Sequence, residues 1–243
     1  MYKFDPGIIQ VGISSCLLGQ EVRFDGGHKR HHFSAEILSK HVQYVPVCPE
    51  MAIGLQAPRA SIRLLEDGED KVRAVSADGR DVTEPMQSFA RETTSGFNFL
   101  SGYILCAKSP SCGMERVRVY APSGQSCRRD GVGVYAAELI QHHPNMPLEE
   151  NGRLNDQELR ENFITRLYAY HDWLCLLHDG LAPAKLIDFH SRYKFMLLAH
   201  HPQTYDRLGR LLADLSSDLE LKAQQYISAF MQGLKHIASR RQQ

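Results

Sequence analysis

Three short apolar runs, each broken off by a cysteine-bearing loop, constrain this chain more than any other feature. Residues 8–13 (IIQVGI) stop at SSCLLG, residues 42–47 (VQYVPV) stop at CPEM, and residues 102–107 (GYILCA) stop at KSPSCG. An apolar run of this length, bounded by Gly, Ser and Pro, reads as a strand buried on both faces. Such strands belong to parallel sheets, where ligands bind beyond the carboxyl ends. Cys16, Cys48 and Cys112 fall at three such ends.

Helix-like stretches separate the runs. Residues 33–41 read as a short helix with Ser34 as a cap, and residues 84–99 as a helix capped by Thr83. Residues 132–143 read as a third. Residues 62–65 and 71–76 flank the turn DGED as a hairpin, and residues 117–120 form a further strand. This alternation predicts an α/β N-terminal domain, with a mostly parallel sheet and flanking helices, over residues 1–147. The stretch HHPNMPLEENGRLND (142–156), rich in Pro, Gly and polar residues, reads as a linker. Beyond it the pattern is purely helical. Asn155 with Glu158 resembles a capping box. Leu159, Phe163, Leu167, Tyr170, Leu174 and Leu177 then recur at three- and four-residue steps up to Gly180. Further helices start near Pro183 and Tyr205. The last carries Tyr226, Phe230, Leu234 and Ile237 on one face. A small all-α domain over residues 148–243 is the expectation.

The 28 basic and 28 acidic residues cancel. That balance argues against charge-driven binding of intact nucleic acid, though not against a local phosphate site. The N-terminal MYKFDPGIIQVGISS lacks the apolar core of a signal peptide, and no stretch has the length of a membrane span. The expected location is cytoplasmic, where cysteines serve metals or catalysis more often than stable disulfides.

The spacing of Cys16, Cys48 and Cys112 matches no recognised zinc or ferredoxin pattern, so their context carries the argument. Three thiolates can hold zinc with one open position. They can equally hold three irons of a 4Fe–4S cluster and leave the fourth iron to a substrate atom. Cys106, inside GYILCA, reads as packed core, and Cys127 and Cys175 lack distinctive surroundings. Glu50 follows Cys48 by two residues. Beside an anionic cluster its charged form is disfavoured, which suits general acid–base work; the plainer reading is a solvated loop glutamate. Ser109 and Ser111 flank Pro110, where a hydroxyl can hold water, donate to a leaving sulfur, or simply brace the turn. Lys108 and Arg59 read as phosphate or carboxylate ligands. In VRFDGGHKRHH, Gly26 and Gly27 let the backbone approach a ligand, while Arg23, His28, Lys29 and Arg30 can meet a phosphate. His190, Lys194 and His201 share one helix face, which reads as solvated rather than metal-binding.

With these residues assembled, SSCLLGQEVRFDGG, VPVCPEMAIGLQAPR and GYILCAKSPSCG together resemble the TudS-type thiouracil desulfidases over most of residues 8–145. The resemblance implies a 4Fe–4S cluster held by Cys16, Cys48 and Cys112, with catalytic roles for Glu50 and Ser109. Substrate contacts then fall to Arg23, Gly26, Gly27, Arg59, Lys108 and Ser111. The implied substrate is a small thiopyrimidine, 4-thio or 2-thio, as base or nucleoside monophosphate. Its sulfur leaves as sulfide, and water supplies the replacing oxygen with no net redox change. LRENFITRLYAY and FHSRYKFMLLAHHPQTYDRLGRLLA resemble the YbgA-like helical domain. That family continues with a further helical segment, so the chain reads as a shortened form. Two other readings use the same residues: a non-catalytic module that binds a cluster or thionucleotide, and a zinc hydrolase.

Overall fold

The computed structural model describes residues 3–68, 71–123 and 127–237. The strands are β1 (Gln10–Ser14), β2 (Gln43–Val47), β3 (Ile62–Glu66), β4 (Val72–Ser76), β5 (Gly102–Leu105), β6 (Val117–Tyr120), β7 (Cys127–Gly131) and β8 (Leu148–Glu150). The helices are α1 (Pro49–Ala52), α2 (Thr83–Ser95), α3 (Val134–His142), α4 (Gln157–His178), α5 (Pro183–His200), α6 (Pro202–Leu212) and α7 (Leu219–Lys235).

β2, β1, β5 and β8 form one sheet in that order, with every pair parallel. Every residue of β1 and β5 is buried, as expected of central strands covered on both faces. Gly12 is required where β1 meets its neighbour, because a Cβ there would stand 2.1 Å from the Tyr103 ring. The remaining strands make a second, mixed sheet in the order β4-β3-β6-β7, in which only β3 and β6 run parallel. The expected hairpin is its β3–β4 pair; Glu69 and Asp70 of its DGED turn lie outside the described residues. β7 had no sequence signal, because four of its five residues are exposed and polar or cysteine.

The four long helices follow as expected. Their core gathers Trp173, Phe189, Tyr193, Tyr226 and Phe230. α4 serves both regions: Phe163 and Leu167 pack into the core of the parallel sheet, and Trp173 and Leu176 into the helical core. Gly102 lets α4 ride directly on β5, since a Cβ there would come within 2.8 Å of Leu167. Among the described residues, no helix is long and apolar enough to cross a membrane.

Several local expectations change. The stretch 142–156 is no linker. It supplies β8, which pairs with β5, and then a 3-10 turn, Arg153–Asn155, with Leu154 fully buried. The helix-capping carboxylate is Asp156, one residue beyond Asn155; its Oδ1 accepts from Leu159 N at 3.0 Å. Thr83 opens α2 from inside the first turn, and its Oγ1 accepts from Ala74 N instead of capping. Residues 33–37 form a π-turn, where buried Ser34 contacts His31 Nδ1 at 2.8 Å and caps nothing. Ile237 falls beyond α7 and is exposed, while Tyr226, Phe230 and Leu234 are buried as expected. The closing ASRRQQ lies outside the described residues.

Candidate active site at the carboxyl ends of the parallel sheet

Because β1, β2 and β5 are parallel neighbours, the loops that follow them open on one edge of the sheet. There they enclose a cavity of about 520 Å³, lined by Cys16, Cys48, Glu50, Arg59, Cys106 and Cys112 among others. Cys16 sits in a 3-10 turn, Ser15–Leu18, that ends at Gly19 with φ 93°, a left-handed conformation that suits glycine. Its carbonyl accepts from Gly19 N and from Lys29 N, at 3.3 and 2.9 Å, which folds the basic segment back over the cavity.

Cys48 immediately precedes α1, so Glu50 lies in the first turn of that helix. Glu50 Oε2 is 3.3 Å from Cys48 Sγ and 4.0 Å from Arg59 Nη2. The carboxylate is thus held between a thiol and a guanidinium, both largely buried. The Arg59 backbone is held in place, because its main-chain N–H donates to Phe24 O at 2.8 Å.

Cys112 is presented by a tight turn. Ser109 Oγ accepts from Ser111 N and Cys112 N at 3.2 and 3.1 Å, and Ser109 O accepts from Gly113 N at 2.8 Å. Gly113 cannot be larger, since a Cβ would lie 2.8 Å from that carbonyl oxygen. Lys108 adopts φ 62°, an uncommon backbone conformation of the sort that clusters at functional sites.

The thiols shape one another's protonation. Burial, then the nearby Glu50 charge, pushes Cys48 up to about 12. The same two causes, joined by Cys106, raise Cys112 far above the ordinary thiol range. The hydrogen bond between Cys16 and Cys106 raises Cys16, which burial raises further, and lowers Cys106, against the opposing effect of burial. Thiols and a carboxylate gathered in one largely buried pocket carry negative charge comfortably only with a cationic partner. Soft sulfur donors suit iron–sulfur or zinc chemistry over hard cations. Among the described residues, no three His, Cys, Asp or Glu side chains are grouped tightly enough to hold a single ion. Several thiols facing one cavity are the kind of donors that an iron–sulfur cluster takes.

Of the residues singled out in the sequence, Arg23, His28, Lys29, Lys108 and Ser109 line the cavity with those just named. Gly26 and Gly27 do not line it. They make the turn that aims Arg23: Gly26, at φ 76°, donates to Arg23 O, and Arg23 N donates to Gly27 O. Arg30 turns away to an exposed pair with Glu36. Ser111 is fully buried off the cavity; its carbonyl accepts from Tyr135 N and Ala136 N, and its Oγ is unpartnered among the described residues. His190 and His201 make internal contacts, to Tyr226 OH and to Thr204.

Four further residues shape the site, of which the sequence singled out only Cys106, as packed core. Cys106 lines the cavity one residue beyond the end of β5. Ser14 Oγ accepts from Cys106 N at 3.0 Å. Asn151 and Glu150, at the end of β8, fasten the third loop: Asn151 Oδ1 accepts from Ala107 N at 2.9 Å, and Glu150 Oε1 accepts from Met114 N at 2.8 Å. No residue type or spacing in the sequence flags these last two.

A second cavity of about 630 Å³ adjoins the first, sharing Ser61, Ile62, Lys108 and Pro110. Arg63, Arg116, Arg118 and Arg129 line the rest of it, with Tyr120, whose ring lies 5.8 Å from the Arg63 guanidinium.

Fold and site together define an α/β protein that gathers thiols and one carboxylate at the ends of parallel strands. The family described as 2-thiouracil desulfurase matches residues 11–151, more than half of the chain. The chain belongs to that family. Residues 194–243 match a family described as a protein of unknown function, DUF1722. The uncharacterised protein YbbK of Bacillus subtilis is 31% identical over 151 residues, covering 59% of this chain and 97% of that one. The uncharacterised protein YbgA of Escherichia coli is 37% identical over 62 residues, 26% of this chain. The match spans only 37% of YbgA's length. Among solved structures, a [4Fe-4S]-dependent thiouracil desulfidase, TudS, aligns at a TM-score of 0.47 with 27% identity, over 60% of this chain and 93% of that one.

Proposed function

We propose that this protein removes sulfur from a thiolated uracil, at a 4Fe–4S cluster held by Cys16, Cys48 and Cys112. One observation carries the reading: within the family-matched segment, three separate loops bring these cysteines and Glu50 to one cavity. When bound, such a cluster supplies a Lewis-acidic iron that prefers a thione sulfur to a carbonyl oxygen.

The chain supplies the protons and the positioning. Glu50, steadied by Arg59, takes a proton from the attacking water and returns one to the departing sulfur. Ser109 Oγ already accepts two N–H groups, so its own hydrogen is left to donate toward the reacting ring. Arg23 and Lys108 meet a substrate phosphate. The family and the absent electron-transfer requirement of a sulfur-for-oxygen exchange support a non-redox reaction.

The second cavity favours a further reading of substrate size. Five cationic residues line it, more than one monophosphate needs, and it runs on from the first cavity at Lys108. Zero net charge across the chain does not exclude local complementarity to a phosphodiester backbone. A thiolated RNA is thus the alternative to a thiouridine monophosphate.

The test is anaerobic reconstitution with iron and sulfide, followed by sulfide release from 4-thiouracil, 2-thiouracil, 4-thio-UMP and a 4-thiouridine oligonucleotide. Glu50→Gln should keep its iron and lose turnover by about 10²–10⁴-fold. A holoprotein that binds every thiopyrimidine and releases sulfide from none is a binding module, and the proposal fails. An RNA preference that weakens steeply with salt selects the second reading.

A further inference from the structure

Four cysteines, not three, face the cavity, and the fourth has a specific neighbour. β1 and β5 are adjacent parallel strands, with Ile13 in register with Ile104. Cys16 and Cys106 therefore leave neighbouring strand ends, in a ladder whose spacing is about 4.8 Å. Ser14, between them, accepts the Cys106 N–H at 3.0 Å and so ties the two ends together. The Cys16 thiol donates to the Cys106 sulfur. Both side chains are buried. Cys48 follows β2, the other parallel neighbour of β1, but its thiol is engaged with Glu50 at 3.3 Å. Cys112 lies farther along the β5 loop, behind the turn that Ser109 braces. A disulfide needs Cα atoms about 4.4–6.8 Å apart with side chains that converge. Cys16 and Cys106 are thus joined both by their hydrogen bond and by the Ser14 tie between their strand ends.

We infer that Cys16 and Cys106 are a reversible modification site: in the apoprotein they close to a disulfide on exposure to a small-molecule disulfide such as oxidised glutathione. The exchange is balanced. One cysteine sulfur attacks the oxidant's S–S bond and releases one thiol. The second then attacks the mixed disulfide and releases the other. Two protein thiols are oxidised to one S–S bond, and one disulfide is reduced to two thiols, which carry the two protons away. If Cys16 is a cluster ligand, as proposed above, the bond removes that ligand and closes the site to iron until a thiol reductant reopens it. Cys106 then acts as a redox latch on cofactor loading and takes no part in turnover.

The experiment uses the full-length apoprotein, kept anaerobic, with and without oxidised glutathione. Free thiols are counted and linked peptides mapped by mass spectrometry. Iron uptake is then measured before and after dithiothreitol. The expected result is the loss of two thiols to a single Cys16–Cys106 link. Iron uptake should fall at least tenfold and recover on reduction. Cys106→Ser should load iron like the parent and keep that capacity through the oxidant. A link between any other pair overturns the inference. So does a stable glutathione adduct without ring closure, or a Cys106→Ser protein that loses uptake as the parent does. If the reduced parent never takes up iron, the cluster reading fails instead, and the thiol map still decides the pair.

Discussion

The thiol-bearing end of the sheet and the helical core are held by opposite means. In the helices, Trp173, Phe189, Tyr193, Tyr226 and Phe230 stack edge and face, with Phe189 4.9 Å from Tyr193 and 5.3 Å from Phe230. Their polar neighbours are paired: Asn162 donates to Leu234 O at 2.8 Å, and Tyr193 OH to Asp172 at 2.7 Å. At the sheet end, burial and the nearby Glu50 charge make Cys48 and Cys112 harder to ionise. The first arrangement is complete in itself. The second gains most when a cation enters, so the two regions should respond differently to the same kind of perturbation.

The largest difference should come from Cys112→Ala. It removes one of the three proposed ligands and only a small buried volume. We expect at least a tenfold loss of iron and acid-labile sulfide per chain after reconstitution. The denaturation midpoint of the apoprotein should stay near the parent's. Full loading of this variant would sink the three-cysteine site.

Phe230→Ala is the counterpart. Deleting a fully buried aromatic from the helical cluster should cost about 3–5 kcal/mol, read from denaturant unfolding. Iron per folded chain should not change. A parallel loss of loading under native conditions would show the two regions to be one cooperative unit, coupled through α4.

The two regions were also unequally legible in the sequence. The helical core was readable from three- and four-residue periodicity, because a helix of α4's length states its buried face many times over. The cysteine loops were readable because central parallel strands are continuous apolar runs that stop abruptly. Cys106 is buried in the core of the parallel sheet as expected, but β5 ends at Leu105, so it also reaches the cavity wall. The stretch 142–156 was misread. Its prolines and charged residues suggested a solvated connector, yet Glu149, Glu150 and Asn151 are all buried. The polar groups of Glu150 and Asn151 serve a neighbouring loop, and local composition holds no trace of partners 36 to 44 residues away.

That misread stretch gives a smaller test of the same contrast. Glu150→Ala strips the acceptor from Met114 N and leaves a half-buried donor without it, at a cost of about 1 kcal/mol. The site of the loss matters more than its size. Met114 follows Cys112 by two residues, so iron uptake should slow or fall in this variant, although no ligand has changed. Equal destabilisation placed in the helices should leave uptake alone. If Glu150→Ala loads normally, the Cys112 turn is held by Ser109 alone.

The smallest effect should come from Asp156→Ala, at the start of the helix that both regions share. Its carboxylate caps α4 through Leu159 N at 3.0 Å, and replacing such a cap costs about 1 kcal/mol. α4 packs its first turns on the parallel sheet and its later turns in the helical core. Fraying from the amino end therefore loosens Phe163 before Trp173. Amide exchange should rise in the first two turns of α4 and near Gly102, where Leu167 rests, and stay at the parental level around Trp173 and Phe230. Uniform exchange along α4 would mean that the helix opens as a whole, and that the boundary between the two regions is not drawn within it.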